Sequence, residues 1–313
     1  MKLNKLGNSD IAITEIGFGT NYIGGHNLYE SVDEQNGIQL LQRAVDLGVN
    51  FIDTADSYGL GRSEELICKA LGNRTYDVVI ATKGGITFKG SKQTGTSNDP
   101  SYLRSALEAS LKRLGRDYID LYYIHKPDGT TPAEEAYGAL MKFKEQGLIR
   151  AGGVSNFEIT DIKAALTAGP IDAIQSRYNI FQRAVEFEIL PFCKAHGISF
   201  IPWGPLAFGL LGGKYASTFR LPENDWRHRT GLFDDDIFMN NLAVVESLKK
   251  LASKRGVPLS HLAIRWLLSR PAVKSVIAGA KRPEQVEQNA RACGWELSAD
   301  EISRIDALTD STG

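Results

Sequence analysis

Val78-Val79-Ile80-Ala81-Thr82-Lys83 and Tyr118-Ile119-Asp120-Leu121-Tyr122-Tyr123-Ile124-His125 decide the fold. Each is a short β-branched or aromatic apolar run that ends in a titratable residue, as a buried strand does where it reaches a site. Between them an amphipathic pattern opens with Asp99 as helix N-cap and Pro100 at the first helical position, and continues to about Arg113. Strand, helix and strand in that order form one βαβ unit and predict a parallel sheet.

The alternation continues in both directions. Strands are predicted to end near Thr20, Asp53, Lys83, His125, Val154, Gln175, Pro202 and Ile277. Helical patterns cover Gln35–Leu47, Glu64–Leu71, Ile159–Ala168, Val185–Ala195 and Pro283–Cys293. Thr131-Pro132-Ala133-Glu134 reads as a capping box with proline in the first turn, opening a helix to about Glu145. Two further helices, Asn241–Lys254 and Pro258–Ser269, precede the last strand, and a final one starts at the Ser298-Ala299-Asp300-Glu301 box. Lys2–Leu6 and Ile11–Glu15 flank Gly7-Asn8-Ser9-Asp10 and predict an N-terminal hairpin. Gly212 to about Asn240, rich in Gly, Asp and Arg, is expected to be an extended binding loop. No stretch resembles a linker. Eight βα units in 313 residues predict an α/β chain folded as one (β/α)8 TIM barrel, a single domain over residues 1–313. The hairpin and the extra helices before strand eight and at the C-terminus are additions to that barrel.

Composition narrows the function. Lys+Arg number 36 against 37 Asp+Glu, a net charge of −1, which speaks against a nucleic-acid partner. The three cysteines, Cys68, Cys193 and Cys293, are far apart with no CxxC pair, so neither a disulfide framework nor a metal site is expected. The longest uncharged stretch, His196 to Gly213, contains Pro202 and Pro205 and does not read as a membrane helix. With no apolar signal segment at its start, the chain is expected to be soluble and cytoplasmic. GxGxxG is absent, since Gly17-Phe18-Gly19 continues as Thr20-Asn21-Tyr22, and Gly209 to Tyr215 fails the P-loop pattern.

Polar residues gather where successive apolar runs end: Asp53 with Tyr58, Lys83, His125, Ser155-Asn156, Gln175 and Trp203. In a barrel these ends converge on one face. A tyrosine titrates near ~10, and an adjacent ammonium favours its phenolate, so Lys83 is expected to lower the pKa of Tyr58 while Asp53 keeps Lys83 charged. His125 would hydrogen-bond a substrate oxygen. Such a tyrosine suits protonation of an oxygen that gains negative charge. Singly, Asp53 is also a plausible helix cap, Tyr58 a rim aromatic and Lys83 a solvated strand-end charge; at consecutive strand ends they read as one site.

Gly48-Val49-Asn50-Phe51-Ile52-Asp53-Thr54-Ala55-Asp56-Ser57-Tyr58-Gly59, followed by Ser63-Glu64, resembles the signature of the aldo-keto reductase superfamily. Val79 to Lys83, Asp117 to His125, Gly153-Val154-Ser155-Asn156-Phe157, Pro205-Leu206 with Gly209 to Lys214, and Gly279-Ala280-Lys281-Arg282-Pro283-Glu284-Gln285 extend the likeness in order along nearly the whole chain. Gly19-Thr20-Asn21 with Gly24-Gly25-His26-Asn27-Leu28-Tyr29 further resembles the bacterial subgroup found beside inositol-catabolism and general-stress genes.

The resemblance implies an oxidoreductase that reduces aldehydes or ketones with NADPH, with Tyr58 as general acid and Asp53, Lys83 and His125 completing a tetrad. It assigns Ser155, Asn156 and Gln175 to the nicotinamide carboxamide and Trp203 to a ring stacked on the nicotinamide. Pro205, Leu206, Gly209, Leu211 and Lys214 follow the pyrophosphate and ribose, and Gly279, Lys281, Arg282, Gln285, Gln288 and Asn289 hold the adenosine end. Gln285 stands where many members carry Arg, so NADH is admitted beside NADPH, with Lys281 and Arg282 supplying charge for the 2′-phosphate. Tyr22, Lys126 and Trp226 are expected to meet a small carbonyl substrate; Lys126 hints at an acidic or polyhydroxylated one. A monomer or small homo-oligomer is expected. Two other readings stay open: a barrel aldolase with Lys83 as Schiff-base lysine, and a cofactor-sensing regulatory subunit resembling potassium-channel β subunits.

Overall fold

The computed structural model describes every residue except 28, 30, 224 and 311–313; Leu28 of the quoted glycine-rich stretch therefore lies outside the described residues. Eight parallel strands form the barrel: β3 (Ile16–Gly19), β4 (Phe51–Asp53), β5 (Val79–Gly84), β8 (Ile119–Ile124), β9 (Ile149–Ser155), β10 (Ala173–Arg177), β11 (Ser199–Trp203) and β12 (Val276–Gly279). They lie in the order β11-β10-β9-β8-β5-β4-β3-β12, and a parallel bridge from Phe200 to Val273 brings the two ends of the sheet together. Helices alternate with them: α1 (Glu34–Asp46), α2 (Arg62–Leu71), α3 (Pro100–Leu114), α4 (Ala133–Glu145), α5 (Ile159–Ala168), α6 (Ile189–His196), α7 (Asp235–Arg255), α8 (Leu259–Leu268), α9 (Pro283–Arg291) and α10 (Ala299–Asp310). The (β/α)8 barrel and its additions are as the alternation predicts. No helix among the described residues is long and apolar enough to cross a membrane.

Two cores follow from the period of two along each strand. Ile52, Ile80, Tyr122, Val154 and Ile174 face outward and pack beneath the helices. Phe51, Val79, Ala81, Leu121, Tyr123, Ala151, Ala173, Ile201 and Ile277 face inward and fill the barrel. The hairpin of β1 (Leu3–Lys5) and β2 (Ala12–Thr14) contributes Leu6, Ile11 and Ile13 to that inner core and stops the barrel at its base. Gly7 N–H donates to Ser199 Oγ at 2.7 Å and Asn4 Nδ2 to the Lys274 carbonyl at 2.7 Å, fixing the stopper.

Four local readings change. The helix expected over Val185–Ala195 is a 3₁₀ turn, Ala184–Glu186, followed by α6, because Pro191 is tolerated only within a first helical turn. The Thr131 box does not form: Asp128 Oδ2 takes the Thr131 hydroxyl at 2.8 Å, and α4 starts after Pro132 without a side-chain cap. The loop from Gly212 is shorter than expected, since α7 begins at Asp235, where the acidic first turn suits a helix N-terminus. An antiparallel hairpin, β6 (Ile86–Lys89) with β7 (Lys92–Thr96), rises after β5 where no element was expected. The Ser298 box does form, with reciprocal bonds between Ser298 and Glu301 at 2.7 and 3.2 Å.

Leu6 is fully buried in the stopper. Leu6→Ala is expected to lower the unfolding free energy by about 2–5 kcal/mol, read as a shifted urea midpoint.

Candidate active site

The inward face of the strands does not end with the apolar core. Two residues beyond Phe51 comes Asp53, beyond Ala81 comes Lys83, beyond Tyr123 comes His125, and beyond Ala173 comes Gln175. The polar residues therefore occupy the next layer of the same face, at the carboxyl ends of the strands. Lys83 Nζ donates to Asp53 Oδ1 at 2.7 Å and to the Thr54 carbonyl at 2.8 Å, and Gln175 Nε2 donates to Asp53 Oδ2 at 2.7 Å. Lys83 is 1% exposed and Asp53 3%, so the pair is sealed from water. It is a buried ion pair with both carboxylate oxygens satisfied, not a solvated strand-end charge.

Above the pair, Lys83 Nζ lies 5.3 Å from the centre of the Tyr58 ring, and the Tyr58 and His125 rings meet edge to face at 6.2 Å. Burial opposes the Lys83 charge, yet Asp53 and then Tyr58 outweigh it and hold the ammonium above its usual range. Tyr58 departs from the sequence expectation. Lys83 does pull its phenol down, but burial pushes up harder, so the pKa lies above the usual value and the hydroxyl keeps its proton at neutral pH. His125 is driven down to about 3 by burial and then by Lys83, so its imidazole is neutral. Its Nδ1 lies 3.4 Å from Ser57 Oγ.

The turn carrying Tyr58 is held from behind. Its carbonyl accepts from the Ser63 N–H at 3.2 Å, while Asn27 Oδ1 accepts from the Gly59 N–H at 2.7 Å. Gly59 has φ +61°, and a Cβ there would stand 1.8 Å from the Gly24 carbonyl, so no other residue fits this corner. A chain of buried hydroxyls runs from Thr54 Oγ1 to Ser63 Oγ at 3.1 Å, on to Thr20 Oγ1 at 2.9 Å, and back to the Asp53 carbonyl at 3.0 Å. Beside it, Glu64 accepts from Thr82 Oγ1 and from Arg113 Nε, each at 2.6 Å. The first turn of α2 thus grips the ends of both β4 and β5. Ser63 and Glu64 were legible only as part of the quoted signature; Arg113 gave no separate signal.

Asp56, also missed as a distinct group, has a buried Oδ1 with no hydrogen-bond partner. Burial, then the charge of Glu64, pushes its carboxyl up to about 8.

The residues assigned to a dinucleotide lie on the same rim. Asn156 adopts a left-handed conformation at φ +58°, donating Nδ2 to Ser155 Oγ at 2.9 Å and accepting the Trp203 indole N–H at 3.1 Å. Ser155 is buried beside them. Trp203 is half-buried, with Phe208 at 6.1 Å, and Phe208 in turn meets Trp226 edge-on at 5.2 Å. Phe208 carries φ +57°, an uncommon conformation for an aromatic residue that the sequence did not announce. Pro205 is buried, Leu206 and Gly209 are half-buried, Lys214 is exposed, and Leu211 is wholly inside the core. Gly279 at the end of β12 is exposed, as are Lys281, Arg282 and Gln288 beyond it, and Asn289 Nδ2 donates to the Gly279 carbonyl at 3.2 Å. Gln285 Oε1 accepts from the Lys281 and Arg282 N–H groups at 2.8 and 3.2 Å, which spends it as a helix cap. Lys281 Nζ sits over the rings of Tyr22 and Tyr29, 5.0 and 4.9 Å from their centres. Lys126 is exposed.

The aldo/keto reductase family model matches residues 15–310. The chain is 35% identical to the aldo-keto reductase YhdN of Bacillus subtilis (strain 168), across 100% of this chain and 95% of that protein. It is 33% identical to the NADH-specific methylglyoxal reductase of Escherichia coli (strain K12), over 95% of each. Among solved structures, the glycerol dehydrogenase AKR11B4 from Gluconobacter oxydans superposes with a TM-score of 0.92 at 33% identity, covering 99% of this chain and 95% of that one. The chain belongs to the aldo/keto reductase family, carbonyl oxidoreductases that use a nicotinamide cofactor.

Between about pH 4 and 8 the folded chain holds a proton on Asp56 that the unfolded chain has released, so this group's contribution to stability falls as pH rises. Asp56→Asn removes that loss. Relative to the parent, the variant's stability is expected to improve from pH 4 to pH 8 by up to about 1.4 kcal/mol per unit, read from denaturant titrations.

Proposed function

We propose that this member of the family is an NADPH-dependent reductase of aldehydes or ketones, with Tyr58 as the proton donor. The observation that carries the reading is the sealed Asp53–Lys83 pair beneath a tyrosine that keeps its proton, beside a neutral histidine. A bound reduced nicotinamide supplies the hydride. As the substrate oxygen gains negative charge, Tyr58 gives up its proton, and the phenolate left behind is balanced by the Lys83 ammonium. Asp53 holds that ammonium in place, and Gln175 donates to its other carboxylate oxygen. His125, being neutral, can donate one N–H to the same oxygen without adding a charge that would compete with Lys83.

The residues present suit a dinucleotide. Trp203 offers a half-buried aromatic face, with the Ser155 and Asn156 polar groups next to it. Lys281 and Arg282 are exposed cations at the start of α9. Because Gln285 already satisfies the two N–H groups there, recognition of a 2′-phosphate falls to the Lys281 and Arg282 side chains. The aldolase reading is disfavoured: a Schiff-base lysine must shed its proton, whereas Asp53 holds the proton on Lys83.

Tyr58→Phe is expected to lower kcat by about 10²-fold or more while the Kd for NADPH, followed by tryptophan fluorescence quenching, stays within about twofold. Near-normal turnover would overturn the role of Tyr58. Lys281→Ala should weaken NADPH by about tenfold and leave NADH nearly unchanged, a difference of about 1.4 kcal/mol. Equal effects on both would remove the 2′-phosphate assignment. A parent chain that binds the dinucleotide tightly but reduces no carbonyl would favour the regulatory-subunit reading instead.

A further inference from the structure

Arg177 is the last residue of β10, two positions beyond Gln175. Period two along the strand puts it on the inward face, one layer above the Gln175 amide that bonds Asp53. It pairs in register with Trp203 of β11, and its guanidinium carbon lies 5.0 Å from the centre of the indole ring. The indole is itself pinned by its N–H bond to Asn156, so the cation rests on a fixed platform at the mouth of the site.

This guanidinium differs from the other part-buried arginines nearby. Arg227 forks onto Asp225 with bonds of 2.9 and 2.7 Å, and Arg113 is bound to Glu64 at 2.6 Å. Arg177 is also half-buried, yet among the described residues it has no carboxylate partner and no hydrogen-bond acceptor. Burial lowers its pKa with nothing to offset it. A guanidinium presents five N–H donors in a planar fork that matches a carboxylate or phosphate. Its place over the Trp203 ring satisfies none of the five. Holding such a group out of water without an acceptor is unfavourable, and an incoming anion would relieve it.

We propose that Arg177 is a specificity-determining residue that binds the anionic group of the carbonyl substrate, and that the preferred substrates are aldehydes or ketones carrying a carboxylate. This rests on the reductase reading above. The same fork could instead meet a phosphate of the dinucleotide, which the experiment separates.

The test compares 4-carboxybenzaldehyde with 4-nitrobenzaldehyde, two planar aldehydes of nearly equal size of which only the first is charged. With NADPH, the unsubstituted chain should favour the carboxylate by tenfold or more in kcat/KM, chiefly through KM. Arg177→Met keeps a flexible stem against Trp203 and removes the charge; it should collapse the ratio at least tenfold, and Arg177→Lys should restore part of it. Because a ratio is read within each protein, partial loss of folded enzyme does not alter it. If the unsubstituted chain reduces 4-nitrobenzaldehyde but shows no preference for the carboxylate, the inference fails while the reductase reading stands. A preference that survives in Arg177→Met also overturns it. Weakened binding of NADPH and NADH alike in Arg177→Met, with the ratio intact, would assign the residue to the dinucleotide and overturn it too. If neither aldehyde is reduced, the reductase reading falls and takes this inference with it.

Discussion

One buried ion pair sets the terms for the rest of the molecule. Lys83 and Asp53 face each other directly above the apolar layers that fill the barrel, with the Tyr123 ring 5.9 Å from the ammonium. Removing one member of a buried pair typically costs about 3–5 kcal/mol, because the other is left charged and out of water. The surroundings are built to avoid that. Gln175 takes the second carboxylate oxygen and the Thr54 carbonyl takes a second ammonium proton. The pair also acts on its neighbours. Burial keeps His125 neutral and the Lys83 charge adds to it, while the same charge opposes the burial that raises Tyr58. A phenol that holds its proton until a nearby oxygen becomes strongly basic suits a donor better than the pre-ionised tyrosine that a simple pairwise argument predicts.

Precision at this site comes from behind it. The β4–α2 turn could swing on its glycines, yet Ser63 ties the hydroxyls of Thr54 and Thr20 together and holds the Tyr58 carbonyl through its own N–H. Glu64, next in sequence, does the equivalent for Thr82, the neighbour of Lys83, and is itself anchored by Arg113 of α3. Two adjacent residues on one helical turn thereby fix the spacing of two strand ends. Each hydrogen bond is worth about 1 kcal/mol, but the hydroxyl bonds of Thr20, Thr54, Ser63 and Thr82 are buried, so leaving any of them unmade would cost more than making it gains.

Much of this was legible in the chain because barrel strands repeat one rule. Asp53, Lys83, His125 and Gln175 stand at the ends of readable apolar runs, and the inward period carries each one into the site. Helices with strong punctuation were equally plain: α3 has Asp99 and Pro100 at its start and Gly115 at its end. Elements without such marks were not. In the β6–β7 hairpin only the four-residue β6 alternates, through Ile86 and Phe88, while β7 is Lys, Gln, Thr and Gly, so the pair reads as loop. The pKa of Tyr58 was misjudged because its sign depends on how deeply the ring is buried, which spacing does not reveal. Arg177 went unread for the converse reason: its meaning lies in the partner it lacks, and a sequence does not state absences.

The hairpin that stops the barrel has a consequence for how the chain reaches this state. Leu6, Ile11 and Ile13 precede every barrel strand, yet the groups that receive the hairpin are Ser199 and Lys274, 192 and 270 positions away. Parallel closure of β3 against β12 spans a similar separation. Contacts so distant in sequence form slowly, since the entropy of closing the loop must be met before any burial is gained. Until the barrel floor exists, the hairpin's apolar residues have nothing to cover them, and a two-stranded ribbon alone is not stable in water. The same segment that finishes the inner core is therefore the one left exposed longest, and it is where a kinetically trapped or aggregating intermediate of this chain would present its surface.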